Sequence, residues 1–166
     1  MKVRLPKGWK MILSCEHGGH RIPSPWRQSL QVPGRVLESH RGWDLGALRM
    51  ARYLKRQLPG PLVANEVSRL LVDFNRSPHH RELFSTYSRI LSPEERRRVL
   101  SRYYLPYRKS ITDFITATHR KGLRVLHVSI HSFTPVLRGE KRRADLGFLY
   151  DPSRPGERRN RFRSPR

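Results

Sequence analysis

The sequence predicts an α/β fold: a three-layer arrangement with a mixed, largely parallel central sheet and helices on both faces. Three observations predict it. Short apolar runs of strand length alternate with longer stretches whose apolar residues recur every three or four positions. Pro-Gly and Gly-Gly pairs separate the two kinds of segment. One segment also carries a complete helix-start signature, Ser92-Pro93-Glu94-Glu95.

In chain order, Met11-Ile-Leu-Ser-Cys15 reads as a buried strand that ends in the turn signal Gly18-Gly19. The stretch from Pro23 to Arg41 reads as a long irregular connection. A helix is expected from Asp44, because Leu45, Leu48, Ala51, Leu54 and Leu58 share one face before Pro59-Gly60 stops it. Leu62-Val63-Ala64 and Leu70-Leu71-Val72 read as two further strands. In the second long helix, Ser92 is the N-cap, Pro93 takes the first position and Glu95 closes a capping box. Its apolar face runs through Val99, Leu100, Tyr103, Tyr107, Ile111, Phe114 and Ile115, and Pro106 is expected to kink it. Leu123 to Ile130 reads as a central strand and Leu146 to Tyr150 as a last one. The expected organisation is a single domain over residues 1–152, followed by a basic, disordered tail over 153–166 whose Pro, Gly, Ser and Arg offer no apolar run.

Bulk properties narrow the function classes. The 166 residues suit one hydrophobic core. The formal net charge of +22 admits a nucleic-acid partner, but the arginines are spread along the chain and no recognised binding module accompanies them. A non-catalytic basic protein that binds nucleic acid and keeps the fold is therefore the alternative reading. The single cysteine, Cys15, excludes an internal disulfide. No apolar run approaches the roughly 20 residues of a membrane span, and the N-terminal apolar run is too short for a signal segment. These features lead to the expectation of a soluble cytoplasmic protein.

In open α/β sheets, ligands bind beyond the carboxyl ends of the strands. That rule gathers Glu16 and His17, then Asp73, Asn75 and Arg76, then His131 and Ser132 on one edge, with Asp44 at the start of a helix nearby. His17 and His131 are the leading metal ligands, since catalytic zinc takes three protein ligands and keeps a fourth position open. Asp44 is a candidate third ligand, with Glu16 and His20 competing for the role, and a helix N-cap is an equal reading of Asp44. Asn75 and Arg76 offer an amide and a planar fork suited to a carboxylate, with Arg69 and Arg143 adding positive charge. His127 shares a strand face with His131 if alternation holds.

At these residues the chain resembles the N-formylglutamate amidohydrolase family. The matching blocks are Ser14-Cys-Glu-His-Gly-Gly19 with Ile22-Pro23, His40-Arg-Gly-Trp-Asp-Leu-Gly-Ala47, Ser68-Arg-Leu-Leu-Val-Asp-Phe-Asn-Arg76 and His127-Val-Ser-Ile-His-Ser-Phe-Thr-Pro135, with Arg143 and Asp145 to Pro152 behind them. That family is similar to the zinc carboxypeptidase and aspartoacylase superfamily, whose fold is phosphorylase/hydrolase-like. The resemblance implies one zinc ion per chain and hydrolysis of the amide bond of a small N-acyl amino acid such as N-formylglutamate. It implies His17, His131 and Asp44 as metal ligands, and Asn75, Arg76, Arg69 and Arg143 as substrate-binding residues. Family members continue past the Leu-Tyr-Asp-Pro block and carry the usual general-base Glu there. The expectation is thus a sheet incomplete at its C-terminal end and weakened or absent turnover, with Glu16 as the substitute catalytic base.

Overall fold

A computed structural model of the chain describes residues 3–137, 139–151 and 153. The expected tail lies almost wholly outside the described residues. The described chain falls into two compact units that divide between Phe133 and Thr134.

The first unit is built on a parallel sheet. Strand β1 (Trp9–Cys15) lies between β2 (Leu62–Ala64) and β3 (Arg124–Ser129), giving the order β2-β1-β3 among the described residues. Leu13 sits opposite Leu62 on one side, and Ser14 sits opposite Ser129 on the other. The central strand is thus β1, where the sequence suggested the 123–130 segment. β1 is the one shielded on both sides, and its residues from Met11 to Cys15 are all buried.

Strand alternation sorts β1 into two cores. Met11, Leu13 and Cys15 face α3 (Ala47–Gln57), packing with Ala47, Ala51, Leu48 and Leu54. Ile12 faces the opposite way, into a larger cluster with Phe74, Val99, Tyr104, Tyr107 and Ile111. That cluster is roofed by one long rod made of α4 (Pro93–Val99), a π-helical turn (Leu100–Tyr104) and α5 (Leu105–His119). Helices therefore cover both faces of the sheet, as the fold class requires.

The capping box at Ser92 forms as expected: its hydroxyl accepts from the Glu95 N–H and the Glu95 carboxylate accepts from the Ser92 N–H. Pro106 does not break the rod. It has no N–H to donate to the preceding turn, and the chain absorbs the missing bond by widening just before it, with Leu105 N–H bonded to the Leu100 carbonyl.

Four expectations are corrected. The Pro23–Arg41 stretch holds two short helices, α1 (Ser24–Leu30) and α2 (Gly34–Leu37); Trp26 and Leu30, four apart, bury the inner face of the first. The helix expected from Asp44 begins three residues later, after Gly46 in a left-handed conformation, and Leu45 is exposed. Leu70, Leu71 and Val72 are buried but form a turn. Ser68 O and Oγ accept from the N–H groups of Leu71 and Leu70 and curl the backbone, which a ladder would have kept straight. Leu146 to Tyr150 is not a strand, and its apolar side chains are exposed.

The second unit, described by itself, contains the antiparallel pair β4 (Val136–Leu137) and β5 (Glu140–Lys141). No helix among the described residues is long and apolar enough to cross a membrane.

Two substitutions check this account. Phe74→Ala, at a site 1 % exposed and in edge contact with Tyr107, is expected to cost about 3–5 kcal/mol in denaturant unfolding. Ser92→Ala, which removes the acceptor 3.2 Å from the Glu95 N–H, is expected to cost about 0.5–2 kcal/mol.

Candidate metal centre

Parallel pairing brings the ends of β1 and β3 to one edge of the sheet. His17 follows β1 by two residues and His131 follows β3 by two, and their rings lie with centroids 5.1 Å apart. The backbone after β1 turns through Gly18 and Gly19 against the chain that leaves β2. A β-carbon on Gly18 would stand 2.8 Å from the Asn65 carbonyl oxygen, and one on Gly19 would stand 2.6 Å from that of Glu66. Only glycine fits this approach. The Asn65 side chain fastens the same turn by donating to the carbonyls of Glu16 and Val67, both at 2.8 Å.

Asp44 completes the cluster. Its N–H donates to the His17 carbonyl, so its position is tied to the β1 turn through the backbone. Its side chain makes no helix cap. Oδ1 accepts from Arg69 Nη2, and Oδ2 lies 2.7 Å from His131 Nδ1 and 3.5 Å from His17 Nδ1. One potential ligand atom from each of His17, Asp44 and His131 lies within 4.8 Å of the others.

The donor set fits a divalent cation. A tetrahedral zinc with bonds of about 2.0–2.2 Å separates its ligand atoms by roughly 3.3–3.6 Å. The 3.5 Å contact matches that spacing, and the 2.7 Å hydrogen bond would open slightly. His17 Nδ1 is buried without a hydrogen-bond partner among the described residues, an orphaned ring nitrogen aimed at Asp44. His17 Nε2 is 2.7 Å from Asp73 Oδ1, the arrangement that fixes an imidazole for metal ligation.

The electrostatics favour positive charge. Burial would raise the Asp44 carboxyl, but His131, His17 and Arg69 together hold it well below the usual carboxylate range. Burial likewise opposes ionisation of Asp73, and the His17 contact reverses it, so its pKa is lowered. Burial alone would lower the His17 pKa, yet Asp44 and Asp73 outweigh it and raise it. Three ionised carboxylates (Glu16, Asp44 and Asp73) thus meet one half-buried guanidinium, Arg69, and the exposed Arg76.

The other candidates fall into place around this core. His20 packs against the Trp43 ring at 5.0 Å and stands outside the three-residue group. Glu16 is 3 % exposed, with Tyr107 and Ser129 donating to its two oxygens, and it is not among the three. Asn75 is exposed and its N–H donates to Asp73 Oδ1. Arg76 is exposed, with Nε 3.7 Å from Asp73 Oδ2. Arg69 is committed to Asp44. Arg143 is exposed and belongs to the second unit.

The N-formylglutamate amidohydrolase family model matches residues 9–164. The chain belongs to this family. It is similar to the crystal structure of gene product Atu2144 from Agrobacterium tumefaciens, at 34% identity with a TM-score of 0.73. The match covers 82% of this chain and 56% of that one, so this N-formylglutamate amidohydrolase family chain spans little more than half the length of that relative. No curated protein matches it.

Sequence reasoning gathered Asp73 on this edge but gave it no role, although a carboxylate following a buried apolar run was a signal. It missed two further residues of this cluster. Tyr107 read as one more member of an apolar helix face, although a buried tyrosine needs a partner for its hydroxyl. Ser129 lies midway between His127 and His131 in the alternation, and that shared face was its only signal.

Cys15 reports on the integrity of this edge. Burial, then the Glu16 and Asp44 charges, push its thiol up to about 12. The thiolate is the reactive form, so at pH 8 the folded protein is expected to resist iodoacetamide and to label fully in denaturant. Rapid stoichiometric labelling of the folded chain would show that the β1 end is open.

Proposed function

We propose that this chain forms the metal-binding and substrate-binding parts of a zinc-dependent amidohydrolase acting on the amide bond of an N-acyl amino acid such as N-formylglutamate. The observation that carries this reading is the convergence of His17, Asp44 and His131, with ligand atoms within 4.8 Å, in a chain of this family. A bound zinc ion would lower the pKa of a coordinated water and polarise the acyl oxygen.

The chain's own residues do the rest. Asp73 holds the His17 ring by accepting from Nε2. Arg69 fixes one oxygen of Asp44 and so leaves the other to the histidines. Arg76 and Asn75, anchored on Asp73, are the accessible groups suited to a substrate carboxylate, the guanidinium as a two-pronged donor and the amide beside it. In this reading Arg69 contributes through Asp44 rather than as a free clamp. Glu16 loses the role of general base: burial and hydrogen bonds to both oxygens keep it from an attacking water.

Two measurements test the proposal. Purified protein is expected to carry one zinc per chain by elemental analysis, with loss of at least about 100-fold in affinity for His17→Ala and for His131→Ala. Absence of metal both as purified and after reconstitution would sink the reading. For any N-acyl amino acid that is turned over or bound, Arg76→Ala is expected to raise KM or Kd by about 10-fold or more, the equivalent of roughly 1.4 kcal/mol. It is expected to leave zinc content unchanged. An unaltered KM would remove Arg76 from the substrate site.

A further inference from the structure

Behind His17, Asp44 and His131 lies a partly buried polar layer that the proposed reaction does not use. β1 turns Ser14 and Glu16 toward α5. β3, held in register with Ser14 opposite Ser129, places His127, Ser129 and His131 along the same face. Glu16 is clamped between them. Its Oε1 accepts from Tyr107 Oη of α5 at 3.0 Å, and its Oε2 accepts from Ser129 Oγ at 2.5 Å. Ser129 Oγ is also 2.9 Å from His131 Nε2, and Glu16 Oε2 is 3.4 Å from the same nitrogen.

We propose that Glu16 is a positioning residue of the metal centre, setting the orientation of His131 through Ser129. The proposal rests on the zinc reading above and deepens it. A serine hydroxyl has a single proton, and Ser129 gives its proton to Glu16 while its oxygen meets His131 Nε2. Held at that nitrogen, the ring turns Nδ1 toward Asp44 Oδ2, 2.7 Å away. His17 reaches the same orientation by a shorter route, with Nε2 bound directly to Asp73 and Nδ1 left toward Asp44. Both imidazoles are thus backed by a carboxylate and both present the same nitrogen to the same oxygen.

The test is metal binding by Glu16→Gln and Ser129→Ala. The Gln amide can donate to Ser129 and turn its hydroxyl proton toward His131, which weakens the contact that holds the ring. Chelator competition is expected to show zinc affinity about 10–100-fold weaker in either variant. The visible spectrum of the Co²⁺-loaded protein is expected to change, while metal-free melting of Ser129→Ala stays near wild type. A purely structural role would lower metal-free melting and leave both the affinity of the folded fraction and the Co²⁺ spectrum intact, which overturns the proposal. Should Glu16→Gln fail to fold, Ser129→Ala decides alone, since Ser129 ends an edge strand and is exposed. A wild type that binds neither zinc nor cobalt overturns the metal reading itself. Wild-type binding with unchanged variants overturns only the role of Glu16.

Discussion

The parallel pairing of β1 with β3 is the constraint on which the site depends. Six consecutive pairs, from Trp9 with Arg124 to Ser14 with Ser129, fix the register. Because strand side chains alternate, a slip of one residue would turn Ser129 and His131 to the opposite face and separate them from Glu16. The pairing is parallel, so the two chains leave the sheet at the same edge, and histidines more than a hundred residues apart in sequence arrive side by side. A hairpin could not do this, and the long crossover between the strands is what supplies Asp44, Arg69, Asp73 and Tyr107.

Packing holds that edge rigid. β1 is buried on both faces, against α3 through Met11, Leu13 and Cys15 and against the long rod through Ile12. The larger cluster continues under the site: Phe74 touches both Tyr104 and Tyr107, and the hydroxyl of Tyr107 then reaches Glu16. The same helix that closes the apolar core therefore also ends in the polar layer behind the metal cluster. The π turn before Pro106 belongs to this arrangement, since it lies immediately ahead of the residue that delivers Tyr107.

The charge balance gives the centre its chemical preference. Carboxylates at Glu16, Asp44 and Asp73 converge in a space where burial penalises charge, and hydrogen bonds keep all three ionised. Such a concentration of negative charge is costly unless a cation or protonated imidazoles balance it. The division of labour is visible in the contacts. Asp44 alone faces both inner imidazole nitrogens, while Asp73 and Glu16 stand behind the rings. Carboxylates behind ligating histidines raise their basicity and hold their orientation.

Much of this was legible in the sequence. Alternation of strand and helix patterns gave the α/β class. Ser92 and Glu95 announced their helix through local hydrogen bonds, and the rule about strand ends pointed to one edge holding His17, His131 and Asp44. These are short-range signals, governed by propensity, capping and periodicity. Other features depended on contacts far apart in the chain. Leu70 to Val72 has the composition of a strand, yet Ser68 curls it into a turn, and burial alone does not distinguish the two. Leu146 to Tyr150 is apolar but forms no strand, because a strand requires a ladder as well as a sequence. Whether Asp44 capped a helix was undecided until its oxygens were seen meeting Arg69 and the two histidines. Residue types and spacing determined which groups were available for chemistry. The tertiary structure decided which nitrogen, oxygen or hydroxyl each one presents, because hydrogen-bond direction is set by partners that only folding brings together.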